Sequence, residues 1–216
     1  MTDILSTRQL ALLLAGAPWR RLVVVGDSIA VGVREPCAGY RDLSWIDRIA
    51  EPLNLVAPGL ELLNLGERNL LAGEVRERQL DAALDFDPDL AFVVAGANDA
   101  LRPGFSPAAV RHELDAMVGP LRAADADVVM VALMDIVAAG LVPAFVDEPL
   151  RLLADVTREV AAINDAILVD MRDHPASADP GIYSSDRLHG NARGHAIVGT
   201  ESVRVLAAAI ATRAAR

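Results

Sequence analysis

The chain has 216 residues, 53% of them hydrophobic, which is enough apolar mass for one domain with a substantial core and excludes a disordered or fibrous protein. Its 30 acidic residues outnumber 20 basic ones, and the formal charge of −10 argues against nucleic acid or an anionic membrane surface as a partner. Cys37 is the single cysteine, so neither an intramolecular disulfide nor a cysteine-based zinc site is open to the chain, and a lone thiol is most often a small buried hydrophobe.

The apolar run over residues 10–17 has the look of a secretion-signal core, but Asp3 and Arg8 cancel before it and Pro18 follows the only Ala-x-Ala site. No run reaches the roughly 18 apolar residues of a membrane-spanning helix. The simpler reading is an amphipathic packing helix within residues 1–20, ahead of a core of residues 21–216, in one cytoplasmic domain with no stable membrane insertion.

From there strand and helix patterns alternate. Leu22, Val23, Val24 and Val25 form a short β-branched run, as in a strand buried on both faces, and it stops at Gly26-Asp27-Ser28 with Gly32 four residues on. Residues 34–41 read as a loop, and Leu43, Trp45, Ile46, Ile49 and Leu53 fall at helical spacing with Pro52 near that helix's end. Residues 59–65 make a second strand with Gly66-Glu67-Arg68-Asn69 leaving its carboxyl end, and residues 72–84 an amphipathic helix. Residues 90–95 are a third buried strand, ending in Gly96-Ala97-Asn98-Asp99; a helix over 107–124 and a fourth strand over 128–133 follow. Residues 135–149 lack a period and suit a lid or the wall of a cleft. A helix over 150–164, a fifth strand over 166–171, a long loop over 172–189 and an Ala-rich helix over 194–215 complete the chain. This alternation predicts an α/β protein: a parallel sheet of about five strands with helices on both faces, a three-layer α/β/α sandwich.

In such a sheet the carboxyl ends of the strands share one rim, so polar clusters far apart in sequence can meet there. Ser28 brings a hydroxyl that attacks only when a base takes its proton. His189 carries the side chain whose ordinary titration range spans neutrality, and Asp186, three residues earlier, can fix its tautomer. Asn98 offers a neutral amide to a developing oxyanion, beside backbone N–H groups at Ser28 and in the second loop. Each has a plainer explanation alone: Gly-Asp-Ser caps helices, with Ser28 as the cap, and Asn-Asp is ordinary turn chemistry.

In this order and on these strand ends, the clusters resemble the SGNH, or GDSL-type, family of esterases and lipases. Gly26-Asp27-Ser28 with Gly32 looks like that family's first block, Gly96-x-Asn98-Asp99 its third and Asp186-x-x-His189 its fifth. The resemblance implies a flavodoxin-like fold and hydrolysis of a small or medium carboxylic ester or thioester through an acyl-serine, with no metal or cofactor. By that likeness Ser28 is the nucleophile, His189 the base, Asp186 its orienter and Asn98 an oxyanion donor. The second block departs from the pattern: counted from Asn64, Asn69 stands where the family has glycine. Asn tolerates left-handed backbone, so Asn69 is expected to donate through its main chain while its side chain narrows the pocket, with Gly66 as the alternative donor.

His112 reads as a surface residue, His174 has no evident partner, His195 is a candidate to pack behind the site, and Arg102 a candidate contact for a polar part of the substrate. Residues 135–149 and the Cys37 loop are expected to shape the substrate pocket. Three competing readings remain: an acyltransferase using the same residues, a catalytically silent binding module, and a nucleotide-binding protein cradling phosphate at residues 26–32, although the stretch lacks both Gly-x-Gly-x-x-Gly and a P-loop lysine. The oligomeric state is not readable from the sequence.

Overall fold

The structure is a computed structural model and describes residues 4–214; Asp3 and the predicted last residue of the final helix, Ala215, lie outside them. Five strands, β1 (Arg21–Gly26), β2 (Glu61–Asn64), β3 (Leu90–Val94), β4 (Asp127–Ala132) and β5 (Ile167–Asp170), form one sheet in the order β2-β1-β3-β4-β5. Every neighbouring pair is parallel. β1, β3 and β4 are buried along nearly their whole length, which is why they are uninterrupted apolar runs in the sequence.

The helices are α1 (Thr7–Leu13), α2 (Ser28–Val31), α3 (Asp47–Val56), α4 (Ala72–Asp85), α5 (Ala97–Ala100), α6 (Pro107–Ala123), α7 (Asp147–Ile163) and α8 (Ala192–Ala214). α4, α6 and α7 pack side by side on one face of the sheet, while α1, α3 and α8 contact one another on the other. The predicted sandwich and its parallel sheet are therefore present. Among the described residues no helix is long and apolar enough to cross a membrane.

The predicted N-terminal packing helix is α1, closed by a capping box between Ser6 and Gln9. Leu10, Leu14 and Trp19 from this segment join the same core as the sheet. Trp19 donates its indole N–H to Asp127 Oδ2 at 2.6 Å, and Arg213 of α8 also pairs with Asp127, tying both ends of the described chain to the amino end of β4.

Most boundaries move by a residue or two from the sequence reading, and three of the differences have a clear physical reason. α3 begins at Asp47, because Leu43, Trp45 and Ile46 belong to the approach to the helix, and Pro52 sits inside it rather than near its end. β2 is shorter than residues 59–65; it is an edge strand, and its mostly exposed side chains leave no two-sided apolar signal. α7 already starts at Asp147, with Pro149 in its first turn, where a missing N–H costs nothing.

The strand order places a topological switch at β1 and β3. The chain leaves β1 towards β2 on one side and returns to β3 on the other, opening a crevice beyond their carboxyl ends. The Ser28 and Asn98 loops leave these two strands.

Candidate active site

Gly26 ends β1 with φ 151°, and a Cβ there would stand 2.0 Å from the Val94 carbonyl oxygen, so only glycine lets β1 and β3 close at this point. Gln79 of α4, buried among Val75 and Ala83, clamps the same residue: its Oε1 accepts the Gly26 N–H at 2.8 Å and its Nε2 donates to the Gly26 carbonyl at 3.0 Å. Both backbone polar groups of Gly26 are thus engaged within the protein, so its N–H is not offered to a phosphate.

The turn then delivers Ser28 as the first residue of α2. The cap is Asp27, whose Oδ1 accepts the Ile29 N–H at 3.0 Å, so Ser28 is not the helix cap that its sequence context allowed. The Ser28 side chain is left to face the crevice, where His189 Nε2 lies 2.7 Å from its Oγ. On the other side of the ring, His189 Nδ1 lies 2.7 Å from Asp186 Oδ2. The carboxylate can only accept, so Nδ1 carries the proton and Nε2 accepts from the serine hydroxyl. Asp186 also receives the N–H groups of Leu188 and His189 at 3.0 Å each, which folds residues 186–189 into a tight turn around the carboxylate. Glu35, from the loop after α2, holds this turn from outside by accepting the N–H of Ser185 at 2.9 Å and its hydroxyl.

Burial pushes the Asp186 carboxyl up, but the hydrogen bonds from His189 and from the two backbone N–H groups outweigh it and keep the group below the ordinary carboxylate range. Asp27 has the opposite balance. It is fully buried, its Oδ2 has no hydrogen-bond partner among the described residues, and burial raises its carboxyl to about 6 against the Ile29 bond and the attraction of His189.

Asn98 lies in α5 at the end of β3 and donates one amide proton to the Leu70 carbonyl at 2.9 Å, leaving its second proton for a ligand. Its neighbour Asp99 accepts the Ala72 N–H at 2.9 Å and so caps α4 from the third loop, since the cap residue Leu71 has no side-chain oxygen. These two bonds hold the second loop against the third.

Within that second loop, Asn69 has φ 68°, and neither its N–H nor its side chain makes a hydrogen bond among the described residues. Among the described residues the N–H of Ser28 is also without an acceptor. Gly66, the alternative donor, is already engaged: its N–H goes to Asn64 Oδ1 at 2.9 Å, while Asn64 Nδ2 donates to the Ala30 carbonyl at 2.8 Å. A Cβ at Gly66 would meet the Val31 nitrogen at 2.6 Å, so this glycine serves the packing of the loop on α2. The Asn69 side chain is exposed and does not line the cavity, contrary to the expectation that it narrows the pocket.

Beside Ser28 the crevice deepens into a cavity of about 110 Å³. Of residues 135–149 only Ile136 lines it, beside Leu133 and Met134 just before that segment and Leu150 of α7 just after it, so the predicted wall is supplied mostly by the segment's two flanks. From the loop after α2 only Val33 reaches it; Cys37 is half-buried elsewhere in that loop, neither a core residue nor a pocket residue. His195 lies on the cavity wall, with Nδ1 accepting the Trp45 N–H at 2.9 Å and Nε2 facing the Val33 carbonyl at 3.2 Å. Burial pulls its imidazole down to about 4, with the Val33 carbonyl opposing, so it stays neutral. His112 is exposed, and His174 begins a short 3₁₀ turn, accepting the Ala176 N–H. Arg102 is exposed on the rim. Among the described residues no group of three or more His, Cys, Asp or Glu side chains is arranged to hold a metal ion.

Sequence reasoning missed Gln79, Glu35 and the burial of Asp27. Only Gln79 left a signal, a polar residue four positions from both Val75 and Ala83 on the buried face of α4.

The doubly wound sheet thus carries a hydrogen-bonded Asp-His-Ser chain at its switch point, an arrangement able to perform acyl-transfer chemistry. The profile of the GDSL-like lipase/acylhydrolase family matches residues 24–197, and the chain belongs to that family. Solved structures with the same fold include LAE5, an alpha/beta hydrolase enzyme from the metagenome of Lake Arreo, Spain (21% identity, TM-score 0.71, covering 89% of this chain and 95% of that one). The acetylxylan esterase Axe2 of Geobacillus stearothermophilus is similar at 18% identity and TM-score 0.71, with 89% and 94% coverage. The psychrotrophic esterase EstA of Pseudoalteromonas sp. aligns at 17% identity and TM-score 0.66, with 85% and 94% coverage. A comparison with curated proteins returns no match.

Proposed function

We propose that the protein is a serine esterase that hydrolyses a small or medium carboxylic ester or thioester through an acyl-Ser28 intermediate. The observation that carries this reading is the continuous hydrogen-bond chain from Asp186 through His189 to Ser28, with both links at 2.7 Å and 161 residues between the two ends of the second. A surface serine that merely caps a helix has no use for such an arrangement.

In the first half-reaction Ser28 Oγ attacks the ester carbonyl carbon as its proton passes to His189 Nε2, and the imidazolium is stabilised by Asp186. The oxyanion of the tetrahedral intermediate accepts the N–H groups of Ser28 and Asn69 and the free amide proton of Asn98. When it collapses, the carbonyl–oxygen bond to the alcohol breaks and the departing oxygen takes the proton from His189. In the second half-reaction a water gives its proton to the same nitrogen and attacks the acyl carbon. The acid is released, and Ser28 regains its proton.

Hydrolysis of p-nitrophenyl acetate by the wild type, Ser28→Ala and His189→Ala tests this reading. Each substitution is expected to lower kcat at least about a thousandfold with an unchanged circular-dichroism spectrum. Comparable turnover by Ser28→Ala would overturn it.

A further inference from the structure

The cavity beside Ser28 is apolar in a specific sense. Its inner wall is built from Val131, Leu133, Ile136, Met171, Ile182 and Val198, of which Met171 and Ile182 are fully buried. The polar side chains that also touch it have their partners elsewhere. The Tyr183 hydroxyl donates to the Ser177 carbonyl at 3.0 Å, the Trp45 indole N–H to the Ile29 carbonyl at 2.8 Å, and His195 spends both ring nitrogens on Trp45 and Val33. Among the described side chains that line it, the amide of Asn98 keeps a free donor for a ligand, and Ser28 and His189, also at the reacting end, are bonded to each other for the chemistry. A sugar hydroxyl in this space would be desolvated without compensation, whereas a hydrocarbon would lose nothing.

The order of the reaction says which part of the ester belongs there. The alcohol leaves first, and a water then has to reach the same carbonyl carbon beside His189. Whatever fills a pocket with a closed inner end has to remain through both half-reactions, and the acyl group is the part that remains.

Resting on the serine-esterase reading above, we infer that the cavity is an acyl-chain site that selects straight aliphatic acyl groups of about four to six carbons. An apolar cavity of roughly 150 Å³ takes up a six-carbon benzene ring; at about 110 Å³ this one holds the chain beyond the carbonyl of a butyryl to hexanoyl group. Acetyl leaves it empty, and an octanoyl tail overfills it. Each methylene that enters is worth about a fourfold gain in kcat/KM, so butyrate, two methylenes longer, is expected to exceed acetate by roughly fifteenfold.

The test is kcat/KM for p-nitrophenyl acetate, butyrate, hexanoate, octanoate and decanoate with the wild type, Leu133→Phe and Met171→Ala. Leu133 is half-buried, so the added ring can enter the cavity without displacing the sheet, whereas Met171→Ala lengthens the space at its buried end. The wild type is expected to peak at four to six carbons. Leu133→Phe should lose at least about tenfold on hexanoate relative to acetate, and Met171→Ala should move the peak to octanoate. The chain-length ratios are read within each variant and its folding by circular dichroism, and hexanoate competition against acetate in the wild type covers the case in which a variant does not fold. Ser28-dependent rates that are highest on acetate, or a peak that neither variant moves, would refute the acyl-chain site and leave the esterase reading standing. Absence of Ser28-dependent hydrolysis on every ester would overturn both.

Discussion

Asp27 sits fully buried at the start of the nucleophile turn with one carboxylate oxygen bonded to Ile29 and the other to nothing among the described residues. Replacing it with asparagine removes the charge and keeps the Ile29 cap. Burial raises the Asp27 carboxyl from 3.8 to about 6 in the folded protein, which corresponds to about 3 kcal/mol between the two ends of the titration. Because the folded state binds the proton more tightly than the unfolded chain, this contribution is fully present below pH 4 and is lost as the pH rises through about 6. The amide of the variant does not titrate, and the cost of burying it without a partner is the same at every pH. The stability of Asp27→Asn relative to wild type is therefore expected to rise by about 2 kcal/mol between pH 4 and pH 7. The titrating groups that face Asp27, His189 and Asp99, are present in both proteins and largely cancel in the difference. Urea unfolding of the two proteins at unit pH intervals measures it. Parallel pH profiles would refute the reasoning and place the Asp27 carboxylate in contact with water or a cation.

Three further substitutions probe the frame around the site. Gly26→Ala puts a methyl group 2.0 Å from the Val94 oxygen; it should cost more than about 3 kcal/mol in denaturant unfolding, and a loss below about 1 kcal/mol would deny the close approach. Asn69→Gly keeps the backbone N–H and suits φ 68°, so kcat/KM should change less than about threefold; a hundredfold loss would show that the side chain takes part. Arg172, buried between Asp135 and Asp147, fastens the cavity wall to the start of α7. Arg172→Met should destabilise by about 2 kcal/mol, less than a fully buried pair because both partners are partly exposed, and should raise KM more than it lowers kcat. An equal fall in kcat would place Arg172 in the chemistry instead.

The parts of this architecture that were legible in the sequence are those where one physical demand dominates several adjacent residues. β1 and β3 are buried on both faces, so they appear as apolar runs, and each run stops where polar residues take over at the rim. Ser28, Asn98, Asp186 and His189 were visible because each cluster stands at such a stop or on the loop that returns after the last strand. β2 was blurred because an edge strand has little to bury, and the start of α3 because Trp45 and Ile46 are buried by the loop that leads into it. Gln79 and Glu35 each act through a pair of long-range bonds, to Gly26 and to Ser185, whose partners no local pattern names. The cavity is equally silent, since its wall is drawn from residues scattered between Ser28 and Val198. Whether Asn69 or Gly66 was the free donor turned on one side chain, Asn64, whose Oδ1 occupies the Gly66 N–H.

The central claim is that Ser28 carries the acyl group between the two half-reactions. Rapid acid quench of the wild type during turnover of p-nitrophenyl butyrate, followed by peptide mass spectrometry, tests it directly. The account predicts one butyryl increment on the peptide containing Ser28 and none in Ser28→Ala. An unmodified Ser28 throughout turnover that releases p-nitrophenol in an initial burst, or an adduct on another residue such as Cys37, would contradict it.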